Sequence, residues 1–373
     1  MTDSISLNPH IVALPPYNAG MSIGAARRAS GHHSIARLAS NENPDGCSPA
    51  VLAALAPAML EPWRYSDPAC TVLREALGEH LATDPHRIVV GNGSEEMIGA
   101  LSRALLLPGE HVVTVTPSFG LHEIEPRAMG APVLKIPMTS DLNFDLPAIL
   151  EALSRRPKLL MLSSPWNPVG PALSPAGLDA ILATMGRETV LVFDEAYFEY
   201  ADEATRVDGV ATLAATDVRY VVLRTFSKAY GLAGLRVGYA VCSDLQIADG
   251  IRKAKTPFNV NVAAQTAAIA ALGDQAWMKA SVARTRAERE RVASSLRDMG
   301  YGPAASQTNF LFFQCHCDST IAADRLLKEG VVVKPWREEG YERFLRVTIG
   351  HPDENDRLLL ALRTLTVGTA PPV

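Results

Sequence analysis

Between Asp67 and Phe258, short apolar runs alternate with stretches of helical pattern, and this alternation limits the possible folds more than any other feature of the chain. The runs are Arg87-Ile-Val-Val90, His111-Val-Val-Thr-Val115, Pro132-Val-Leu-Lys-Ile136, Lys158-Leu-Leu-Met-Leu162, Thr189-Val-Leu-Val-Phe193 and Tyr220-Val-Val-Leu223. Apolar runs bounded by turn residues suit strands buried on both faces. Helices predicted over Ala69–Leu81 and Ser94–Leu106 supply the crossovers that parallel strands need. The expected class is α/β, a large domain with a mostly parallel sheet covered by helices.

The flanking segments read differently. From Met1 to Arg37 the chain is rich in Pro, Gly, Ser and Ala without an apolar period, which suits an extended arm. Beyond Phe258 come helices over Val262–Leu272 and Met278–Met299, then strands over Asn309–Gln314, Gly330–Pro335 and Phe344–Ile349 with a helix, Thr320–Glu329, among them. The expected organisation is an arm over 1–37, a large domain over 38–259 and a smaller α+β domain over 260–373. In Met278–Met299, Arg284 with Glu288 and Arg286 with Glu290 stand four apart, the spacing of a solvated helix face.

Composition removes several function classes. With 35 basic and 40 acidic residues among 373, for a net charge of −5, there is no general positive field for nucleic acid. No apolar run approaches membrane-spanning length. Five scattered cysteines without a CxxC pair suggest neither a disulfide framework nor a zinc module, and suit the cytoplasm. Cys315-His316-Cys317 lacks the further ligands that a metal site needs, so a structural role is expected and no metal.

Open α/β sheets bind ligands beyond the carboxyl ends of their strands, and the residues after these runs are polar. Gly91-Asn-Gly-Ser94-Glu95 leads into a helix whose first amides suit a phosphate, although Ser94 suits a plain helix cap equally well. Asp194 and Tyr197 end another run. Asn167 follows Ser163-Ser-Pro-Trp166, and Thr225, Ser227, Lys228 and Arg236 follow Leu223. A lysine at an apolar strand end is a candidate for a lowered pKa and imine chemistry. A phosphate cradle, a carboxylate, a phenol, an amide and a lysine together suit pyridoxal 5′-phosphate.

With Thr225-Phe-Ser-Lys-Ala-Tyr-Gly-Leu-Ala-Gly-Leu-Arg-Val-Gly-Tyr239, Asp194-Glu-Ala-Tyr197 and Asn167-Pro168 in this order, the sequence resembles the class I/II, fold-type I pyridoxal-phosphate aminotransferases. Within that family it resembles the histidinol-phosphate aminotransferase group, over about Leu38 to Gly350. The resemblance implies that Lys228 would condense with the cofactor and then carry a proton, and that Asp194 would pair with the ring nitrogen. Asn167 and Tyr197 would bond the ring oxygen, and Phe119 would stack on the ring. Amides of Ser94 and Glu95, with Thr225, Ser227 and Arg236, would hold the phosphate. Tyr65 would reach it from a second subunit of a homodimer. Arg346 would clamp the substrate carboxylate, and Tyr17 and Asn43 would line the substrate side. Lys334 stands where the family commonly has an arginine for a substrate phosphate, and Trp166 is expected beside the cofactor. The implied activity is transamination between histidinol phosphate and 2-oxoglutarate, with glutamate as the product. An aromatic or other amino acid as donor is the alternative, and a decarboxylase of the same fold a further one. A nucleotide-binding or dehydrogenase module leaves Lys228, Asp194 and Asn167 without a use.

Overall fold

A computed structural model describes residues 5–15, 20–58 and 61–367. Its strands, in chain order, are β1 (Ala36–Leu38), β2 (Ile88–Gly91), β3 (Val112–Thr116), β4 (Val133–Pro137), β5 (Leu159–Ser163), β6 (Val190–Asp194), β7 (Arg219–Thr225), β8 (Gly238–Cys242), β9 (Phe310–Gln314), β10 (Val331–Pro335) and β11 (Phe344–Thr348). The larger sheet runs β2-β8-β7-β6-β5-β3-β4, and the pairs among β3 to β7 are parallel.

The apolar runs become buried strands because both of their faces are covered. Leu160, Leu162, Leu191, Phe193 and Val222 point into one core, whereas Leu159, Met161, Val190, Val192 and Val221 point into the other. This is the period-2 alternation of a strand with helices on either side. β8 was not among the expected strands. It joins antiparallel between β2 and β7, and the twelve residues that separate it from β7 hold only a three-residue 3-10 turn, Ala233–Leu235, in place of the crossover helix that a parallel strand needs.

The smaller sheet runs β1-β10-β11-β9. Here the 37/38 boundary read from composition falls inside a strand: Ala36, Arg37 and Leu38 pair parallel with Val331, Val332 and Val333. The long helix Gln275–Asp298 also departs from its expected solvated face. Arg284 reaches Asp45 at 2.6 Å, Arg286 donates to the Tyr200 carbonyl at 3.0 Å, and Glu288 accepts from Arg291 and Asn355. The helix therefore braces distant segments as well as pairing along itself, through Glu288 and Arg291 in place of the expected pairs.

Behind the carboxyl ends of β6 and β7 lies a buried ion network. Arg224 donates to Glu195 Oε2 and to Asp208 Oδ1, each at 2.8 Å, and its guanidinium lies 3.7 Å from the Phe198 ring centroid. Glu195, fully buried, also accepts from the Gly209 amide at 2.7 Å. Removing one partner of such a pair leaves an uncompensated charge in the interior. Arg224→Met should thus lower the unfolding free energy by about 3–5 kcal/mol in chemical denaturation; a change within that of a surface substitution would refute the role assigned to the pair.

Candidate active site

The parallel strands deliver their carboxyl ends to one cavity of about 540 Å³. Ser118 and Phe119 come from the end of β3, Ser163 and Asn167 from β5, Asp194 and Tyr197 from β6, and Thr225, Ser227 and Lys228 from β7. In the β5–β6 register Ser163 stands opposite Asp194, so neighbouring strands end level with each other. Lys334, Trp336 and Arg346 line the opposite wall from the smaller sheet, with Ala39, Ser40 and Asn41 between.

One end of the cavity is shaped for an anion. The helix Gly93–Leu105 opens there with Gly93, Ser94 and Glu95 on the wall, and its first amides and dipole favour negative charge. Gly93 has φ +80, and a Cβ on it would fall 2.7 Å from Arg236 Nη2. A Cβ on Gly238 would fall 2.4 Å from the Ser94 amide. Gly238 lets β8 pack directly against the backbone at the start of the helix, and Gly93 keeps a hollow open. Around it lie the Thr225 and Ser227 hydroxyls, 3.0 Å apart, and Arg236, which donates to Glu95 at 3.1 Å.

The middle of the cavity holds the carboxylate, the phenol and the lysine. Asp194 is buried, accepts the Ala196 amide at 3.0 Å through Oδ1, and lies 3.3 Å from His122 Nε2 through Oδ2. The Tyr197 hydroxyl accepts from Asn41 Nδ2 at 2.8 Å. Lys228 Nζ donates to the Ser40 carbonyl at 3.2 Å; burial and the neighbouring Arg346 charge lower its pKa to about 8. Arg346 donates to Asn167 Oδ1 at 2.7 Å and to the Ala39 carbonyl at 2.8 Å.

Other predicted site residues fall elsewhere. Asn43 does not line the cavity: its Nδ2 donates to the Ala229 carbonyl at 2.9 Å and to Ser281 at 3.0 Å. Trp166, expected beside the cofactor, lies fully buried in the core, where its Nε1 donates to the Pro117 carbonyl at 2.6 Å. An indole with a carbonyl in reach has no polar atom left to keep it at a cavity wall. Tyr65 lies on the surface, outside the cavity, with its ring 4.6 Å from that of Phe258. Tyr17 lies outside the described residues. Sequence reasoning missed His122 and Asn41; for His122 the signal was its spacing, three residues after Phe119 at the start of a helix. Among the described residues, no three His, Cys, Asp or Glu side chains gather as a metal would need.

The donor set fits pyridoxal phosphate: an open anion hollow at one end, a buried carboxylate for a protonated ring nitrogen, an amide and a phenol for the ring oxygen, and a lysine of lowered pKa. Together with the sheet order, this is the architecture of the fold-type I aminotransferases. The chain belongs to the aminotransferase class I and II family, whose family model matches residues 34–362. It is 44% identical over 351 residues to histidinol-phosphate aminotransferase 1 of Mesorhizobium japonicum, covering 94% of this chain and 95% of that one. Histidinol-phosphate aminotransferase 3 of Rhizobium meliloti is 42% identical over 358 residues, 96% of each chain. Among solved structures, the histidinol-phosphate aminotransferase of Sinorhizobium meliloti, in complex with pyridoxal-5′-phosphate, superposes with a TM-score of 0.88 at 30% identity, covering 98% of this chain and 100% of that one.

Only the neutral amine attacks an aldehyde. The rate at which cofactor-free protein takes up pyridoxal phosphate, read from absorption near the violet edge, should climb as pH rises through about 8 and then level off. A rate that keeps climbing beyond pH 10 would mean an unperturbed lysine, and Lys228→Ala should show no band.

Proposed function

We propose that the chain holds pyridoxal phosphate in this cavity and transfers the amino group of histidinol phosphate to 2-oxoglutarate, yielding glutamate. The observation that carries the choice of substrate is the register of β10 and β11, in which Lys334 stands directly opposite Arg346. Both line the cavity. Like charges facing each other across two strands destabilise a sheet, and burial with the nearby Arg346 and Arg337 lowers the Lys334 pKa to about 8. An anion between the two offsets that cost. Histidinol phosphate carries a phosphate ester where glutamate carries its α-carboxylate, so one pair of cations serves both half-reactions. Arg346 offers the planar fork and Lys334 the additional charge that a phosphate needs.

Pyridoxal phosphate, when bound, supplies an electron sink that lets the substrate Cα–H bond break as a proton. Lys228 Nζ takes that proton and returns it. The Asp194 carboxylate holds a proton on the ring nitrogen, with His122 orienting the carboxylate. Asn167 and Tyr197 bond the ring oxygen, and Phe119 covers the ring face. The amides of Ser94 and Glu95, the hydroxyls of Thr225 and Ser227 and the Arg236 guanidinium hold the phosphate. The smaller domain, residues from 260 onward together with β1, closes over the substrate against the larger domain.

The reading includes a homodimer with a shared site. Tyr65 is 84% exposed and stacks with Phe258 beside Trp63, itself 73% exposed. Exposed apolar patches mark interaction surfaces, and from there Tyr65 of one copy reaches the phosphate in the other. Five cysteines without a disulfide suit the cytoplasm.

Steady-state rates with histidinol phosphate and phenylalanine as donors decide between the two substrate classes, since Trp336 and Phe119 on the wall also suit an aromatic side chain. Histidinol phosphate should be preferred, and Lys334→Ala should lower its kcat/KM about ten- to a hundredfold, the worth of one charged contact, while affecting phenylalanine far less. A wild-type preference for phenylalanine would overturn the substrate. Separately, Tyr65→Phe should weaken pyridoxal-phosphate affinity more than a surface control does, and equal affinities would remove the shared site.

A further inference from the structure

The loop that follows β10 leaves the smaller sheet and crosses to the end of β3 in the larger one. Its carboxylate, Glu338, accepts three hydrogen bonds: from Thr116 Oγ1 at 3.0 Å through Oε1, and from the Ser118 amide at 2.9 Å and Trp336 Nε1 at 2.7 Å through Oε2. Tyr341 adds a bond from its hydroxyl to the Thr116 carbonyl at 3.3 Å. On its other side the same Thr116–Phe119 segment is held from the core by the Trp166 indole. Gripped on both sides, it fixes Phe119 on the cavity wall.

Trp336 is the other element that this carboxylate fixes. Its amide donates to the Phe344 carbonyl at 2.9 Å, its ring packs edge-on to Phe312 at 6.0 Å, and the Arg346 guanidinium lies 5.9 Å from its ring centroid. The indole N–H bond to Glu338 is what sets the rotation of that ring against the anion-binding Arg346. Cutting it frees two walls of the substrate space at once, one from each sheet.

We infer that Glu338 is a positioning residue that sets donor selectivity by fastening Trp336 to the Thr116–Phe119 segment across the cavity mouth. This rests on the reading of the cavity as the amino-donor site. Glu338 lines the cavity and its partners are Thr116, Ser118, Trp336 and, at 3.9 Å, Lys135 rather than Lys228, so it acts on how donors are seated rather than on proton transfer. Gln is the conservative replacement: its amide oxygen keeps the two N–H donors, and its NH₂ donates to the Thr116 hydroxyl, which turns to accept.

The experiment uses holoenzyme and four variants: Glu338→Ala, Glu338→Gln, Trp336→Phe and the double variant Trp336→Phe/Glu338→Ala. Glu338→Ala should raise KM for the amino donor about tenfold, with kcat changed less than about twofold, and Gln should return KM to within about threefold of wild type. Trp336→Phe, which keeps a ring but no N–H, should raise KM similarly, and the double variant should be no worse than either single one, as expected for two ends of one contact. Independently of turnover, Glu338→Ala should red-shift tryptophan emission, and that shift should vanish in the Trp336→Phe background. Unchanged KM in Glu338→Ala, a loss confined to kcat, a Gln variant as poor as Ala, or additive effects in the double variant would each overturn the inference. Should Glu338→Ala not fold, Gln and Trp336→Phe decide alone. If neither histidinol phosphate nor phenylalanine is a donor, the substrate reading fails, and the same KM pattern on the donor that is used still decides the role of Glu338.

Discussion

Arg224 and Glu195 meet at 2.8 Å with almost no water around them, at the point where β6 and β7 leave the larger sheet. Each has a cavity residue as its immediate chain neighbour, Thr225 after Arg224 and Asp194 before Glu195. Because successive residues of a strand face opposite ways, the ion pair is pinned behind the sheet end while its neighbours face the cavity. The Glu195 amide donates to the Leu223 carbonyl at 2.8 Å and carries the strand ladder one step past Asp194. A buried charge pair is costly to break and tolerant of little movement. The carboxylate at the centre of the site and the hydroxyl at its anion end therefore share one rigid support.

Much of this was legible in the sequence. Every apolar run between Arg87 and Leu223 forms part of a strand of the larger sheet, since hydrophobic periodicity reports directly on burial. The residues after five of those six runs gather at one cavity because the strands end on the same side; the exception is the run of β4, at the edge of the sheet. Local pattern does not report partners far along the chain, and that is where the reading departed. Arg284 finds Asp45 instead of Glu288, and Trp166 turns inward to the Pro117 carbonyl. Asn41 reaches the cavity only because β1 pairs with β10, nearly three hundred residues later. Nothing in Ala36-Arg-Leu38 by itself announces a strand partner.

The net charge of −5 conceals a local gathering of cations. Lys228, Arg236, Lys334 and Arg346 line one cavity together with Arg127 and Arg337, and the carboxylates set among them are Glu95, Glu123, Asp194 and Glu338. Cations at such density lower one another's proton affinity, and both lysines show it, each with burial as the first cause and Arg346 as the next. The indole of Trp336 and the carboxylate of Glu338, joined by a hydrogen bond of 2.7 Å, shape the mouth of this cavity.

The three residues that follow β1 join separate parts of the site. The Ala39 carbonyl accepts from Arg346, the Ser40 carbonyl from Lys228, and the Asn41 side chain donates to Tyr197. One short strap thus touches the Arg346 guanidinium, the Lys228 amine and the Tyr197 phenol in succession, and it is anchored at its near end in the smaller sheet. A ligand that draws Arg346 toward itself pulls on the same backbone to which the Lys228 amine is bonded. The strap therefore ties the positions of three groups that β6, β7 and β11 deliver separately.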